Sequence, residues 1–306
     1  MDAKQTLRLV VRMGRLRFLL CGLALYCLGA LYALAAGAEV GLRQALWGYL
    51  VLMCGHLSVS YSNDYYDFEA DKKGAQTPFS GGSGTLQEYP NLRPLALRIA
   101  LALIGCSLIL GTGFVIWYSF SYWYVLAVLG GNLLGYFYSA PPLSLSYRGW
   151  GEVTTALATG AVVPLTGYVC ANGQLTAAIA GFVPVALCYG AVFILTVELP
   201  DIEEDRISGK KTFVAMYGQR RALQLILLFS VVGTLVNCAL HISGTSVIDT
   251  NFAVLALLTL LPVGAAGYGL ARGAGDKKKV VGSVQAIMGA LVVYVLLVDL
   301  YLYAFL

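Results

Sequence analysis

Two short acidic windows, N-D-Y-Y-D-F-E-A-D at residues 63–71 and E-L-P-D-I-E-E-D at residues 198–205, each follow directly on a long apolar run. Together they hold nine of the sixteen acids in the chain. Overlaid with a constant offset of 134 residues, they place Asp64 on Glu198, Asp67 on Asp201 and Asp71 on Asp205. Positions i, i+3 and i+7 of a helix fall within an arc of roughly 60°, so each window is expected to present three carboxylates on one face. Asn63 adds a neutral oxygen beside Asp67, whereas Glu69 and Glu203 point away and read as solvated. Six like charges at one place repel one another at a cost of several kcal/mol, on the order of a buried charge left unpaired, unless a cation neutralises them. With oxygen donors only, the set suits a hard cation, and Mg2+ completed by phosphate oxygens fits best. The expected metal ligands are therefore Asn63, Asp64, Asp67, Asp71, Glu198, Asp201 and Asp205, with the five aspartates as the catalytic centre.

The elements that must carry these windows are membrane helices. Of the 306 residues 58% are hydrophobic and only 12% charged, with a mean hydropathy of +0.75. Crossing about 30 Å of hydrocarbon takes roughly 20 apolar residues, and nine stretches approach that length: 18–38, 45–61, 95–117, 122–138, 153–170, 177–197, 222–241, 252–270 and 281–303. Hydrocarbon offers no partner for an unpaired amide and the stretches lack barrel-type alternation, so all are expected to be helices. The first is too long for a cleavable signal and lacks a small-residue cleavage site.

With the N-terminus inside, 19 of the 20 basic residues fall on the cytoplasmic side, leaving only Arg43 outside. That asymmetry orients the chain, with both acidic windows cytoplasmic and the C-terminus outside. The formal charge of +4 reflects the same asymmetry and implies no nucleic-acid partner. The helices that precede the two windows run the same way, so the windows are expected to meet at one depth. The seven cysteines show no C-x-x-C or metal spacing and read as small core residues; His56 and His241 lack an identifiable partner.

Taken together, Asn63-Asp64-x-x-Asp67-x-x-x-Asp71, Asp201-x-x-x-Asp205 with Gly209-Lys-x-Thr212 behind it, and Y-S-A-P-P at 138–142 resemble the UbiA superfamily of intramembrane prenyltransferases over nearly the whole chain. The resemblance implies an all-α integral membrane protein: nine transmembrane helices in a bundle around a central cavity, one domain over 1–306, and a cytoplasmic-side cap formed by motif loops at about 62–93 and 198–220. It implies a prenyl diphosphate donor, geranyl to polyprenyl, held with Mg2+ while its tail lies in the apolar interior, and Tyr138 and Ser139 at the substrate. Ionising an allylic diphosphate requires neutralising its head and keeping the cation from water. Asn63, Lys72, Lys73, Arg148, Arg206, Lys210 and Lys211 are the polar and cationic candidates for its oxygens, and tyrosines 65, 66, 136 and 138 for cation–π contact. The glycine-rich loop Q-T-P-F-S-G-G-S-G-T at 76–85 is a candidate lid.

N-D-Y-Y-D with this loop, and D-I-x-x-D-R-x-x-G-K-x-T, are most similar to the naphthoate-prenylating branch that makes menaquinone. Relatives often carry a lysine after the Pro-Pro pair, where this chain has Ser144 and Ser146 before Arg148. An acceptor of the glycerol-phosphate ether lipid type, as for digeranylgeranylglyceryl phosphate synthase, is the alternative within the class. A membrane cation transporter is the alternative outside it, although its ionisable residues belong near the bilayer midplane and not at helix ends.

Overall fold

The computed structural model describes residues 2–72, 82–244, 250–304 and 306. Among these the chain is helical throughout, with no strand. Helix α1 (Ala3–Met13) begins where the Asp2 carboxylate accepts the Gln5 amide at 2.6 Å. Such a cap satisfies one of the amides that a first turn leaves open. Gly14 and Arg15 end it, Arg15 in the left-handed region at φ 45°, and α2 (Arg17–Ala35) follows. α3 (Leu42–Tyr66), α4 (Phe68–Asp71), α5 (Thr85–Glu88), α6 (Arg93–Tyr118) and α7 (Trp123–Tyr136) follow.

Helical segments occupy all nine apolar stretches. Among the described residues seven helices are long and apolar enough to cross a membrane: Arg17–Ala35, Pro90–Tyr118, Gly151–Asn172, Gly181–Ser208, Gln219–Ser243, Phe252–Arg272 and Lys277–Ala304. The chain is thus a multi-pass membrane protein by its helices. α3 has the length, but Gln44, His56, Ser58, Ser60, Ser62 and Asn63 dilute its apolarity. α7 is only 14 residues, about 21 Å at 1.5 Å per residue. The helix ends at Tyr136, ahead of the proline pair Pro141-Pro142.

The residues group into two compact units. The first comprises 1–23, 46–154 and 203–212, the second 24–45, 155–202 and 213–306. In the first, α3, α6 and α7 are tied by a buried polar relay. Asn132 Nδ2 donates to Ser107 Oγ at 3.2 Å, and Ser107 Oγ donates to the Val51 carbonyl at 2.9 Å. The Ser107 hydroxyl and the Asn132 Nδ2 thereby escape the cost of unpaired burial. In the second, α2 and the helix Val163–Asn172 approach at backbone distance. A Cβ at Gly29 would stand 1.8 Å from the Pro164 carbonyl oxygen, and one at Gly167 2.0 Å from that of Tyr26. Small residues at both faces permit this approach, the usual basis of helix association in lipid.

Candidate active site

The first acidic window does not lie on one uninterrupted helix. α3 stops at Tyr66, α4 starts at Phe68, and Asp67 stands at the join with φ −83° and ψ 3°. Helical hydrogen bonds continue on either side, from the Asp67 amide to Asn63 O and from the Asp71 amide to Asp67 O, both 2.8 Å. The carboxylates therefore still gather in one place, but with a turn between them. Asp64 and Asp67 are buried, the former with 2% of its surface exposed. Glu69 is exposed and pairs with Lys72 at 3.3 Å, turned outward as expected.

Each buried carboxylate has its own partners. Asp64 Oδ1 accepts Arg15 Nη2 at 2.6 Å and the Ser83 amide at 3.0 Å. Asp67 accepts Tyr147 Oη at 2.9 Å on one oxygen, and Ser139 Oγ and Lys210 Nζ, both at 3.0 Å, on the other. Asp71 faces Gly82, where a Cβ would stand 2.0 Å from Asp71 Oδ2 and 3.5 Å from Asp64 Oδ1. Only glycine lets the chain pass so close. Burial, reinforced by the Asp67 charge, pushes the Asp71 carboxyl up to about 7, against the pull of Lys210 and Arg15.

The second window contributes through the turn that follows it. Gly209, at φ 81°, reverses the chain so that Lys210 reaches Asp67 and Thr212 donates to Asp205 Oδ2 at 2.8 Å, while the Lys210 amide caps the Asp205 carbonyl at 2.9 Å. This is the structural content of D-R-x-x-G-K-x-T. Burial alone would depress the Lys210 ammonium; the Asp67 charge, with Tyr138, Tyr147 and Asp71 behind it, more than offsets that and holds it charged. Burial and the same Asp67 charge raise the Tyr147 phenol, which stays a donor. Glu198, buried, and Asp201, part-exposed, belong to the second unit.

The remaining cationic candidates divide. Lys72 is exposed, over the Phe68 ring at 4.1 Å. Arg148 is exposed and donates to the Pro142 carbonyl at 2.8 Å. Arg206 and Lys211 are also exposed, and Lys73 lies outside the described residues. Of the tyrosines, Tyr66 and Tyr136 share a hydroxyl contact of 2.5 Å; Tyr138 is part-exposed, its carbonyl accepting Ser146 Oγ at 2.9 Å. Sequence reasoning missed Arg15, Ser83 and Tyr147 as partners of the acids. Arg15 is one of the 19 basic residues on the expected cytoplasmic side, and no local signal distinguishes it.

A family model described as the UbiA prenyltransferase family matches residues 23–287. The chain belongs to that family. This UbiA-family chain is 31% identical over 172 residues, 56% of its length, to the 1,4-dihydroxy-2-naphthoate octaprenyltransferase of Bacillus subtilis. It is 28% identical over 204 residues, 64% of its length, to the digeranylgeranylglyceryl phosphate synthase of Thermococcus kodakarensis. The matches span 53% and 65% of those relatives, less than two thirds of either. A UbiA homologue from Archaeoglobus fulgidus, solved with DMAPP and Mg2+, shares the fold at a TM-score of 0.75 and 20% identity, covering 96% of this chain and 98% of that one. The family is one of prenyltransferases, and membership of it argues against the cation-transporter alternative.

The chain's own atoms fit a hard cation in one respect and not in another. Asn63 Oδ1 and Asp64 Oδ2 are buried oxygens with no hydrogen-bond partner, a costly state that a metal or its water relieves. Yet among the described residues no three Asp, Glu, His or Cys side chains converge closely enough to hold a metal alone. Coordination completed by substrate oxygens, the usual habit of Mg2+, reconciles the two.

Proposed function

We propose that the chain transfers a prenyl group from a prenyl diphosphate to an aromatic acceptor of the 1,4-dihydroxy-2-naphthoate type, in the manner of menaquinone biosynthesis, acting over 1–306 as one catalytic domain. The observation that carries the reading is the meeting of Asp64, Asp67 and Asp71 with the Asp205–Thr212 turn in one unit. Asn63, Asp64, Asp67 and Asp71, with Asp205 from the second window, would hold Mg2+. Bound there, the metal would supply Lewis-acid neutralisation of the diphosphate.

The chain's own groups supply the rest. Lys210, already held charged and 3.0 Å from Asp67, is placed to turn to the diphosphate oxygen whose charge grows as the allylic C–O bond ionises. Ser139 and Tyr147 keep Asp67 from swinging with it. Apolar helices exclude water from the carbocation until a ring carbon of the acceptor attacks and the ring loses a proton. Tyr138 and Ser139 are read at the substrate; Lys72, Lys73, Arg148, Arg206 and Lys211 are read as outer cations drawing the anionic donor in.

The Asp67–Lys210 pair also bears on topology. Two groups 3.0 Å apart lie on one side of the membrane, so an even number of crossings separates them. Three long apolar segments lie between; α7, short as it is, then serves as the fourth. We read nine crossings, α3 and α7 among them, with N-terminus, motif loops and cap cytoplasmic; this count and the basic-residue asymmetry support that reading.

The identity of 28% with a digeranylgeranylglyceryl phosphate synthase supports a second reading, with the same donor and an ether lipid precursor as acceptor. Purified protein given labelled geranylgeranyl diphosphate and each acceptor separately, with Mg2+ or chelator, tests both. Product with the naphthoate alone supports the first reading, product with the glycerol phosphate alone the second, and product in excess chelator removes the metal.

A further inference from the structure

We infer that α1 is a docking surface for an anionic lipid leaflet, joined to the acidic site by its opposite face. Three stripes of residues spaced i, i+4 run along it. Leu9 and Met13 are buried in a core with Tyr61, Phe68 and Leu86. Leu7 and Val11 are 64% and 46% exposed. Lys4 and Arg8 are exposed, and among the described residues neither forms an ion pair. Only three residues separate Met13 from Arg17, where the spanning helix Arg17–Ala35 begins. α1 is therefore held at the level of the interface by the length of the chain. An apolar stripe beside a basic one at that level matches the acyl boundary and the charged headgroups of an anionic leaflet.

The docked face leads to the site. Tyr61 Oη donates to the Val10 carbonyl at 3.0 Å. Arg12 holds Glu88 through two hydrogen bonds of 2.8 and 3.0 Å. Glu88 ends α5, and the Ser83 amide, just before that helix, binds Asp64. Lipid held on the outer face thus steadies the segment that closes over Asp64.

The inference uses the membrane reading but not the acceptor or the metal, and its test needs no turnover. The full chain in detergent is titrated with fluorescent phosphatidylglycerol and, for reference, phosphatidylcholine. Each basic side chain near an anionic leaflet contributes about a factor of five. Lys4→Gln with Arg8→Gln is expected to lower the preference for phosphatidylglycerol roughly tenfold or more, while Arg43→Gln, at the exposed basic residue read on the opposite side, leaves it unchanged. An unchanged preference in the Lys4/Arg8 pair overturns the inference. A nitroxide at Leu7→Cys in a cysteine-free chain in bilayers is expected to meet oxygen more readily than a water-soluble nickel chelate, and the reverse order overturns it independently.

Discussion

Arg15 Nη2 lies 2.6 Å from Asp64 Oδ1, across 49 residues of sequence. Arg15 holds a left-handed backbone at φ 45° to reach it, a conformation that costs a non-glycine residue about 1–2 kcal/mol. Losing one partner of a buried ion pair costs about 3–5 kcal/mol, and the partial exposure of Arg15 screens some of that. Arg15→Ala is expected to lower Tm and reduce turnover at least tenfold, and the Arg15→Ala/Asp64→Ala double variant to be less destabilised than the sum of the singles. Additive losses in thermal unfolding would show that the pair does not couple.

The two windows are expected to act as one unit. Asp67→Ala or Asp205→Ala alone abolishes most turnover, and the double variant adds little, because a misplaced metal is as useless as an absent one. Strong loss in only one of the single variants sinks the shared site.

Lys210 and Arg148 are expected to differ. Lys210 touches Asp67, whereas Arg148 touches a backbone carbonyl at the surface. Lys210→Gln should lower kcat more than it raises the donor KM, and Arg148→Gln should stay within about threefold of the parent in kcat, as an exposed cation with no acidic partner does. Equal kcat losses in steady-state assays contradict the geometry.

Metal affinity should follow the proton on Asp71. A group whose pKa is about 7 is protonated below that pH and must release its proton to ligate. Apparent Mg2+ affinity is therefore expected to fall as pH drops through about 7 and to level off above it. Calorimetric titration at pH 6 and 8 checks this, and Asp71→Asn should flatten the difference.

Impermeant thiol reagents test the threading. Single cysteines at Lys72, Arg148 and Lys211 should label from one face, and those at Glu39 and Ser121 from the other. Labelling of Ser121 and Arg148 from the same face removes α7 as a crossing.

Much of this was legible in the sequence because it is local. Apolar length locates the helices, and the 134-residue repeat marks the acids. Gly209-Lys-x-Thr212 is a local turn whose lysine and threonine find partners through its glycine. What was hidden is distant or geometric. Tyr147 meets Asp67 over 80 residues and Arg15 meets Asp64 over 49, and no spacing rule links such pairs. The break at Asp67 was hidden because the polar run 62–71 has no proline or glycine to mark it.

The two central aspartates acquire their counter-charges from opposite directions along the chain. The partner of Asp64 precedes it by 49 residues, while Lys210, the partner of Asp67, follows by 143. A ribosome adds about 5–20 residues per second, so Asp64 emerges with its arginine already made. Asp67 waits roughly 7–30 seconds more at that pace for its lysine. Biosynthesis therefore passes through a stage in which Asp64 already has its counter-charge while Asp67 has only the hydroxyls of Ser139 and Tyr147.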